Sequence, residues 1–598
     1  MTALLESRPA AAAPSNPFTP EQKEYLEGFF AGLASPGGLP FVGVTTDGRL
    51  SATPSPGAAN LAAPSERTCF GTPLADLTKQ ERWKLEEHPL DSWDRLLAHA
   101  EQDKAPNEED TFRFRYFGLF WVGPAQNSFM LRCRVPAGEL TAFQLAGLAD
   151  LADQWGGGYA DLTTRANLQI RQIAPRNTVK VLTQLQELGL TARGSGVDNV
   201  RNVTASPTAG IDPAELIDTR PLAKGLHHYI LNHRELYSLP RKFNVAFDGG
   251  GAVSALADTN DLGFVAVRVG PEQAVAPGVY FRCELAGVTG HQQFARDAGL
   301  LLKPSECVAV AAAMIRVFNE HGDRTDRKKA RFKHLLDRWG PARFLQETER
   351  KLAFPLTRLP REGCLPGHPP IPHGHLGVYK QAQKGRNYIG VLVPVGRLQT
   401  RQMRRLSELA LHYGSGSLRL TPWQNLLLPD IPDGFVETVK RSVVRLGLPY
   451  SAGPIAGGLV ACTGSAGCKW AATNTKAHAL SLARYLEKRV RLDQPLNIHV
   501  TGCPNSCAQH YVGDIGLLGA KATLSGEQVE AYHVVLGGGY GPNQAVGKEI
   551  FRGVPVSVLP QLLERVLGTY LARREAGESF AAFTRRHDLK RLQELFSE

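Results

Sequence analysis

The strongest constraint on this chain is that part of it occurs twice. "VPAGELTAFQLAGLADLADQWGGGYADLTTRANLQI" begins at Val135, and "VPVGRLQTRQMRRLSELALHYGSGSLRLTPWQNLLL" begins at Val393. The two align without a gap at an offset of 258 residues. Pro136, Gly138, Leu140, Gln144, Leu148, Leu151, Ala152, Gly156, Gly158, Leu162, Thr163, Asn167 and Leu168 all recur. The apolar positions 145, 148, 151, 152 and 155 match 403, 406, 409, 410 and 413, the spacing of one buried helical face. Glycines close that helix and an alternating strand follows, so each copy reads strand, helix, strand. A looser echo links "KFNVAFDGG" and "NDLGFVAV" to "LNIHVTGCP" and "GDIGLLGA". The chain therefore reads as an α+β protein built by pseudo-twofold tandem duplication, each half a small module plus a larger one. The interface between such halves favours a ligand pocket.

At 598 residues the chain is too long for one core. The repeat divides it into an extension over 1–75, a small module with a preceding arm over 76–195, and a larger module over 196–350. A second small module follows over 376–450, and a second larger one over 451–598. "TPEQKEYLEGFFAGL", 19–33, reads as a helix capped by Thr19, with Glu21 and Gln22 in its first turn. The N-terminal "MTALLESRPAAAAPSNPF" carries Glu6 and no apolar stretch, so it reads as a disordered tail and not a signal peptide. No apolar run approaches the roughly 20 residues that span a bilayer. A cytoplasmic protein without a membrane partner is expected. The formal net charge of +11 fits an acidic partner or ligand. With no zinc-finger spacing and no aromatic RNA-binding signature, nucleic acid is not expected.

The nine cysteines are too unevenly placed for a disulfide framework. Cys69, Cys133, Cys283, Cys307 and Cys364 are scattered, whereas Cys462 pairs with Cys468 and Cys503 with Cys507. The segments are "ACTGSAGCKWA" and "HVTGCPNSCAQ", a C-x5-C and a C-x3-C separated by 34 residues. C-x5-C is a poor match to zinc spacing. Thiolates from two loops suit a cubane iron–sulfur cluster, and Pro504 after Cys503 fits the Cys-Pro habit of cluster loops. The surrounding glycines let backbone amides approach the cluster sulfurs.

These loops resemble the cluster loops of the assimilatory nitrite and sulfite reductases. The resemblance runs over roughly residues 80–590 and takes in, in order, "TTRANLQIR", "DNVRN", "LPRKFN", "RTDRKKARFKHLLDRWG", both cysteine pairs and "REAGESFAAFTRRH". It implies two ferredoxin-like half-modules over 76–195 and 376–450, and two larger α/β siroheme/cluster modules over 196–350 and 451–598. It further implies a [4Fe–4S] cluster on Cys462, Cys468, Cys503 and Cys507, with Cys507 bridging to the iron of a siroheme, in a monomer. Siroheme carries eight carboxylates, which burial makes costly without cationic partners. Arg165, Gln169 and Arg171 sit at alternate strand positions of "TTRANLQIRQ", so all three are expected to share one face. Arg241, Gln424 and Asn505 are similar to further siroheme contacts in the family. The segment 281–300 departs from the family, with Ala286–Gly287 where a Gly pair is usual. That departure leaves the siroheme contacts of this segment open.

For the substrate, the resemblance points to Arg132 in "MLRCR", Arg201 in "DNVRN", and Lys242 with Asn244 in "LPRKFNVAF". Sulfite reductases of the family carry Lys at both of the last two positions, and nitrite reductases carry Lys then Asn. A smaller monoanion needs one buried cation fewer, and an amide donor suffices. The implied activity is reduction of nitrite to ammonium. "LGGGYG", 536–541, lacks the strand–helix context of a dinucleotide site, so electrons must come from a separate carrier, for which ferredoxin is the family's choice. "RTDRKKARFKH", 324–334, is the candidate dock, against the plainer reading of a solvated helix face. Three alternatives stand beside this one: an assimilatory sulfite reductase, the tetrapyrrole oxygenase precorrin-3B synthase, and a cluster-bearing structural or redox-sensing protein.

Overall fold

The repeat dictates the architecture. In a computed structural model, which describes residues 43–44, 50–51 and 68–597, the helices Ala142–Trp155 and Thr400–Tyr413 begin and end 258 residues apart. So do Thr178–Glu187 and Val436–Arg445. Gln144 recurs as Gln402 because each closes the start of its helix, accepting from the backbone N–H of Thr141 and of Gln399 at 3.0 and 2.9 Å. The tail expected over 1–18 and the helix expected over 19–33 lie outside the described residues. The chain divides into Met1–Ala62 and Ala63–Glu598. In the first unit Gly43–Val44 pairs antiparallel with Leu50–Ser51.

In the second unit each half-module forms a five-stranded sheet that takes its last strand from the other half. One sheet runs in the order Arg397–Gln399, Tyr159–Leu162, Leu168–Ile173, Phe129–Arg132, Leu119–Trp121. The other runs Gly377–Lys380, Arg386–Val391, Leu426–Pro432, Ser417–Leu420, Glu139–Thr141. The short strand expected ahead of each helix is real, yet it pairs across the pseudo-dyad. Gly138 and Gly396 lead into these exchanged strands with φ of 70° and 69°. A Cβ on either would fall 2.5 Å from the Leu420 carbonyl oxygen or 3.0 Å from that of Leu162. Both glycines are therefore required by backbone conformation and by close approach. The two long helices share one core, Leu145, Leu148 and Leu151 with Met403, Leu406 and Leu409.

The looser echo is also structural. Thr204–Ala205, Val245–Asp248 and Leu262–Val269 run parallel, and Gly278–Leu285 and Arg296–Leu302 continue antiparallel. Gly458–Ala461, Asn497–Thr501 and Ile515–Leu524, then Glu527–Leu536 and Lys548–Pro555, repeat that pattern. A helix crosses between the first two strands of each sheet, Arg220–Asn232 and Thr475–Arg489. The strand Leu365–Pro366 lies beyond residue 350 and still pairs with Leu262–Val269. "LGGGYG" ends a strand, and a Cβ on Gly538 would meet the carbonyl oxygens of Gly513 and Tyr511 at 2.3 and 2.6 Å. Its small residues serve chain packing.

Because Leu406 is fully buried in the core shared by both halves, Leu406→Ala is expected to cost about 2–5 kcal/mol in denaturant unfolding.

Candidate active site

A cavity of about 740 Å³ opens where both half-modules meet both larger sheets. All fourteen residues singled out from the sequence line it: Arg132, Arg165, Gln169, Arg171, Arg201, Arg241, Lys242, Asn244, Gln424, Cys462, Cys468, Cys503, Asn505 and Cys507. Two motifs whose site residues read as strand positions in the sequence, "TTRANLQIRQ" and "LPRKFNVAF", differ locally from that expectation. The strand carrying Gln169 and Arg171 is Leu168–Ile173, and Arg165 precedes it in a turn where Ala166 has φ of 47°. Likewise the regular strand begins at Val245. Residues 241–244 approach it through one bridge, Phe243 to Val200, with Arg201 N donating to the Phe243 carbonyl at 2.8 Å.

The cysteines come from the C-terminal ends of parallel strands Gly458–Ala461 and Asn497–Thr501, the end of an α/β sheet where ligands bind. Gly502 N donates to Cys462 Sγ at 3.3 Å, and Thr475 Oγ1 lies 3.6 Å from it. Burial, together with the other three thiols, pushes the Cys503 thiol up to about 11. Crowded thiolates need a positive centre among them, which is what bound iron supplies. Among the described residues no three His, Cys, Asp or Glu side chains converge on a single-ion site. A four-iron cube spreads its thiolates wider than one ion does. Cys507 is the exposed member of the four and lines the same cavity as Arg132, Arg165 and Lys242.

Facing the cysteines are eight arginines and four lysines against one carboxylate, Asp161. Burial pushes Arg132 and Arg165 down to about 10, and Arg201 well below the usual arginine range, with the neighbouring arginines adding to the effect on Arg201. Arg115, Arg201, Arg241 and Arg331 each bury an Nε without a protein acceptor. Such donors demand an anion. Arg165 Nη1 donates to Asn260 at 2.8 Å, and Arg132 lies 4.3 Å over the Phe120 ring.

Three expected ligand contacts are instead engaged by protein. Arg171 donates to Asp161 at 3.0 Å, to Gln169 Oε1 at 2.9 Å, to Thr463 Oγ1 at 2.7 Å and to the Gly467 carbonyl at 3.2 Å. It thus grips the Cys462–Cys468 loop. Gln424 bonds Leu162 and both backbone groups of Ala461. Asn244 gives its NH2 to Asp261 at 2.9 Å, so the amide donor expected to meet the substrate is occupied. Ala286 holds φ of 69°, in the left-handed region that favours glycine.

The basic run 324–334 is not a helix face. Residues 324–331 form turns, and the helix starts at Phe332. Arg324 pairs with Glu81, Arg327 with Asp198 at 2.8 and 2.9 Å, and Arg331 with Asp261 at 2.9 Å. Buried carboxylates thus claim three of the run's cations, and Arg327, Lys328 and Arg331 line the cavity. Arg331, Arg327, Arg115 and Lys476 were not singled out as site residues. Only the density of basic residues around "RTDRKKAR" signalled any of them.

Asp161 is the one acidic group of the cavity, 3% exposed. Burial alone would raise its pKa, but Lys476, the Arg397 hydrogen bond and Arg171 overcome that and hold it at about 2. The folded value lies below the ordinary carboxylate 3.8, so this contribution to stability is complete above about pH 4 and fades as pH falls towards 2. Asp161→Asn is expected to cost about 3–5 kcal/mol at neutral pH by stranding buried cations, and to flatten the loss of stability between pH 4 and 2 in acid-unfolding curves.

The comparisons with known proteins agree with this geometry. The family model described as "Nitrite and sulphite reductase 4Fe-4S domain" matches residues 196–356 and 456–598. The "Nitrite/Sulfite reductase ferredoxin-like half domain" matches 123–188 and 379–445. The chain is 36% identical over 503 residues to a ferredoxin–nitrite reductase of Synechococcus elongatus, covering 82% of this chain and 96% of that protein. It is 34% identical to the chloroplastic ferredoxin–nitrite reductase of Zea mays, with 84% and 92% covered. The assimilatory ferredoxin-dependent nitrite reductase of Haloferax mediterranei is 31% identical, with 84% and 90% covered. Among solved structures, the Mycobacterium tuberculosis NirA protein superposes with a TM-score of 0.78 at 29% identity, covering 86% of this chain and 97% of that one. Two duplicated modules, matched in order by both family models and joined around one cysteine-lined cavity, make this chain a member of the nitrite and sulphite reductase family.

Proposed function

We propose that the chain reduces nitrite to ammonium, with six electrons and eight protons per nitrite and two waters released. Electrons come singly from reduced ferredoxin. Cys462, Cys468, Cys503 and Cys507 would hold a [4Fe–4S] cluster, Cys507 and the arginines of the wall would hold a siroheme beside it, and the two groups would supply the electron transfer to nitrite. The observation that carries this reading is the pairing, in one cavity, of four cysteines with buried arginines whose donors lack acceptors. A polycarboxylate tetrapyrrole supplies the anions those donors need. The nitrite and ferredoxin named for the three relatives favour nitrite over sulfite.

The bound cofactors supply the redox chemistry, and the chain's own groups do the rest. Arg165 and Arg241 bind carboxylates, Gln169 and Asn505 assist them, and Arg171 and Gln424 fix the loop and turn that carry the first two cysteines. Arg132, Arg201 and Lys242 bind the anionic substrate. Burial and the charges of Arg331 and Arg201 push Lys242 well below the usual lysine range, so its ammonium releases a proton readily to the reacting nitrogen or oxygen. The net charge of +11 suits electrostatic steering of an acidic carrier. No helix among the described residues is long and apolar enough to cross a membrane. A cytoplasmic setting fits nine cysteines with no disulfide.

Viologen-driven turnover of the holoprotein is expected to give a kcat/KM for nitrite at least about tenfold above that for sulfite. The reverse order would assign a sulfite reductase. Lys242→Met is expected to lower kcat on nitrite by about 10²–10⁴. Cys503→Ser is expected to lower cluster iron, read by metal analysis; full iron retention would remove Cys503 from the ligand set.

A further inference from the structure

The two places where a strand crosses between half-modules carry one charge pattern in opposite senses. At the first crossing Arg397 of the exchanged strand stands opposite Asp161. Arg397 Nε donates to Oδ1 at 2.9 Å and Nη2 to Oδ2 at 3.2 Å. At the second, Glu139 of the exchanged strand stands opposite Arg419, with Nη1 2.6 Å from Oε1. Positions 139 and 397 are equivalent in the repeat, and so are 161 and 419, each pair 258 residues apart. Both acids therefore belong to the first half-module and both arginines to the second. The other residue pairs of the two crossings are uncharged.

This division sets what each copy can pair with. Two first half-modules joined in the same register would set Glu139 against Asp161. Two second half-modules would set Arg397 against Arg419. Asp161 and Arg419 are each 3% exposed, so like charges there would meet with little water to screen them. Both acids are ionised at neutral pH. Burial would raise the Glu139 pKa, but Arg419, Lys224 and Arg220 hold it at about 2, and Asp161 is held equally low. The larger modules follow the same division. Lys476 of helix Thr475–Arg489 lies 3.5 Å from Asp161, while Arg220 and Lys224 of helix Arg220–Asn232 lie 3.1 Å from Glu139.

We propose that the two crossings form a recognition surface that admits only the unlike copy: the acidic first half-module pairs with the basic second one, and like copies from separate chains repel. A duplicated module gives every chain two similar sheet edges, and strand exchange between chains is the competing outcome. Rejecting like copies keeps both halves of the cavity in one chain. The inference stands on the duplication and holds whichever anion the site reduces.

The like pairing can be built inside the intact chain. Arg397→Glu sets an acid against Asp161, and Arg419→Glu sets one against Glu139, the contact that two first half-modules would make. Arg397→Gln and Arg419→Gln remove the ion pairs without adding repulsion. Urea unfolding of dilute holoprotein at neutral pH compares these with the inverted pair, Glu139→Arg with Arg419→Glu. Each Glu variant is expected to unfold with an equilibrium constant about tenfold above that of its Gln counterpart at the same urea. The inverted pair is expected to recover most of what Arg419→Glu loses. It also leaves each half-module complementary to itself, so light scattering of concentrated holoprotein is expected to show more dimer and larger species than wild type. If Arg419→Glu yields little folded protein, the yield of the inverted pair against that of Arg419→Gln decides the same question. Glu and Gln variants of equal stability would overturn the inference, because the charges would then serve burial alone. An inverted pair no better than Arg419→Glu, or one with the mass distribution of wild type, would overturn it too.

Discussion

The ion cluster on Asp161 holds the active site together. Asp161 stands on a strand of the first half-module. It receives Arg171 from the neighbouring strand, Arg397 from the strand exchanged out of the second half-module, and Lys476 from the helix behind the cysteine loop. Arg171 continues to Thr463 and Gly467 inside the first cysteine loop. One buried carboxylate thus joins both copies of the repeat to the cluster module. Buried charges of this kind add little net stability, but removing one partner leaves the others stranded. The cost of breaking the set is what keeps the two halves and the loop in one arrangement.

Beyond Asp161 the cavity wall is cationic, and the counter-charges stand one layer back. Asp198 takes Arg327, Lys84 and Arg241; Asp261 takes Arg331. These carboxylates neutralise part of each cation's charge and fix its direction, while the Nε atoms of Arg115, Arg201, Arg241 and Arg331 stay buried without protein acceptors. The arm ahead of the first half-module contributes here, since Lys84 and Glu81 bury their charges among Asp198 and Arg324. In the proposed reading a polyanionic cofactor would complete this set.

The duplication was legible because helix and strand periods repeat at a fixed offset, and the bounds of both long helices follow it to the residue. The cysteine pairs were legible because ligand spacing within a loop is local. Orientation was not. Arg171, Gln424 and Asn244 all line the cavity, yet each spends its principal hydrogen bonds on protein groups. Thr463 is 292 residues from Arg171, Ala461 is 37 from Gln424, and Asp261 is 17 from Asn244. The basic run at 324–334 gave the opposite lesson: its charge was plain, and its inward direction was set by Glu81, Asp198 and Asp261 from elsewhere in the chain.

The sequence by itself determined the twofold repeat, the order of modules and the two cysteine pairs. These depend on period and spacing, which a linear chain displays. Tertiary structure alone decided that each half-module closes its sheet with a strand of the other, that Asp161 unites three modules, and that Asn244 gives its NH2 to Asp261. Each of those depends on which distant group reaches a buried donor or acceptor first, and hydrogen-bond partners across a fold leave no trace in local sequence.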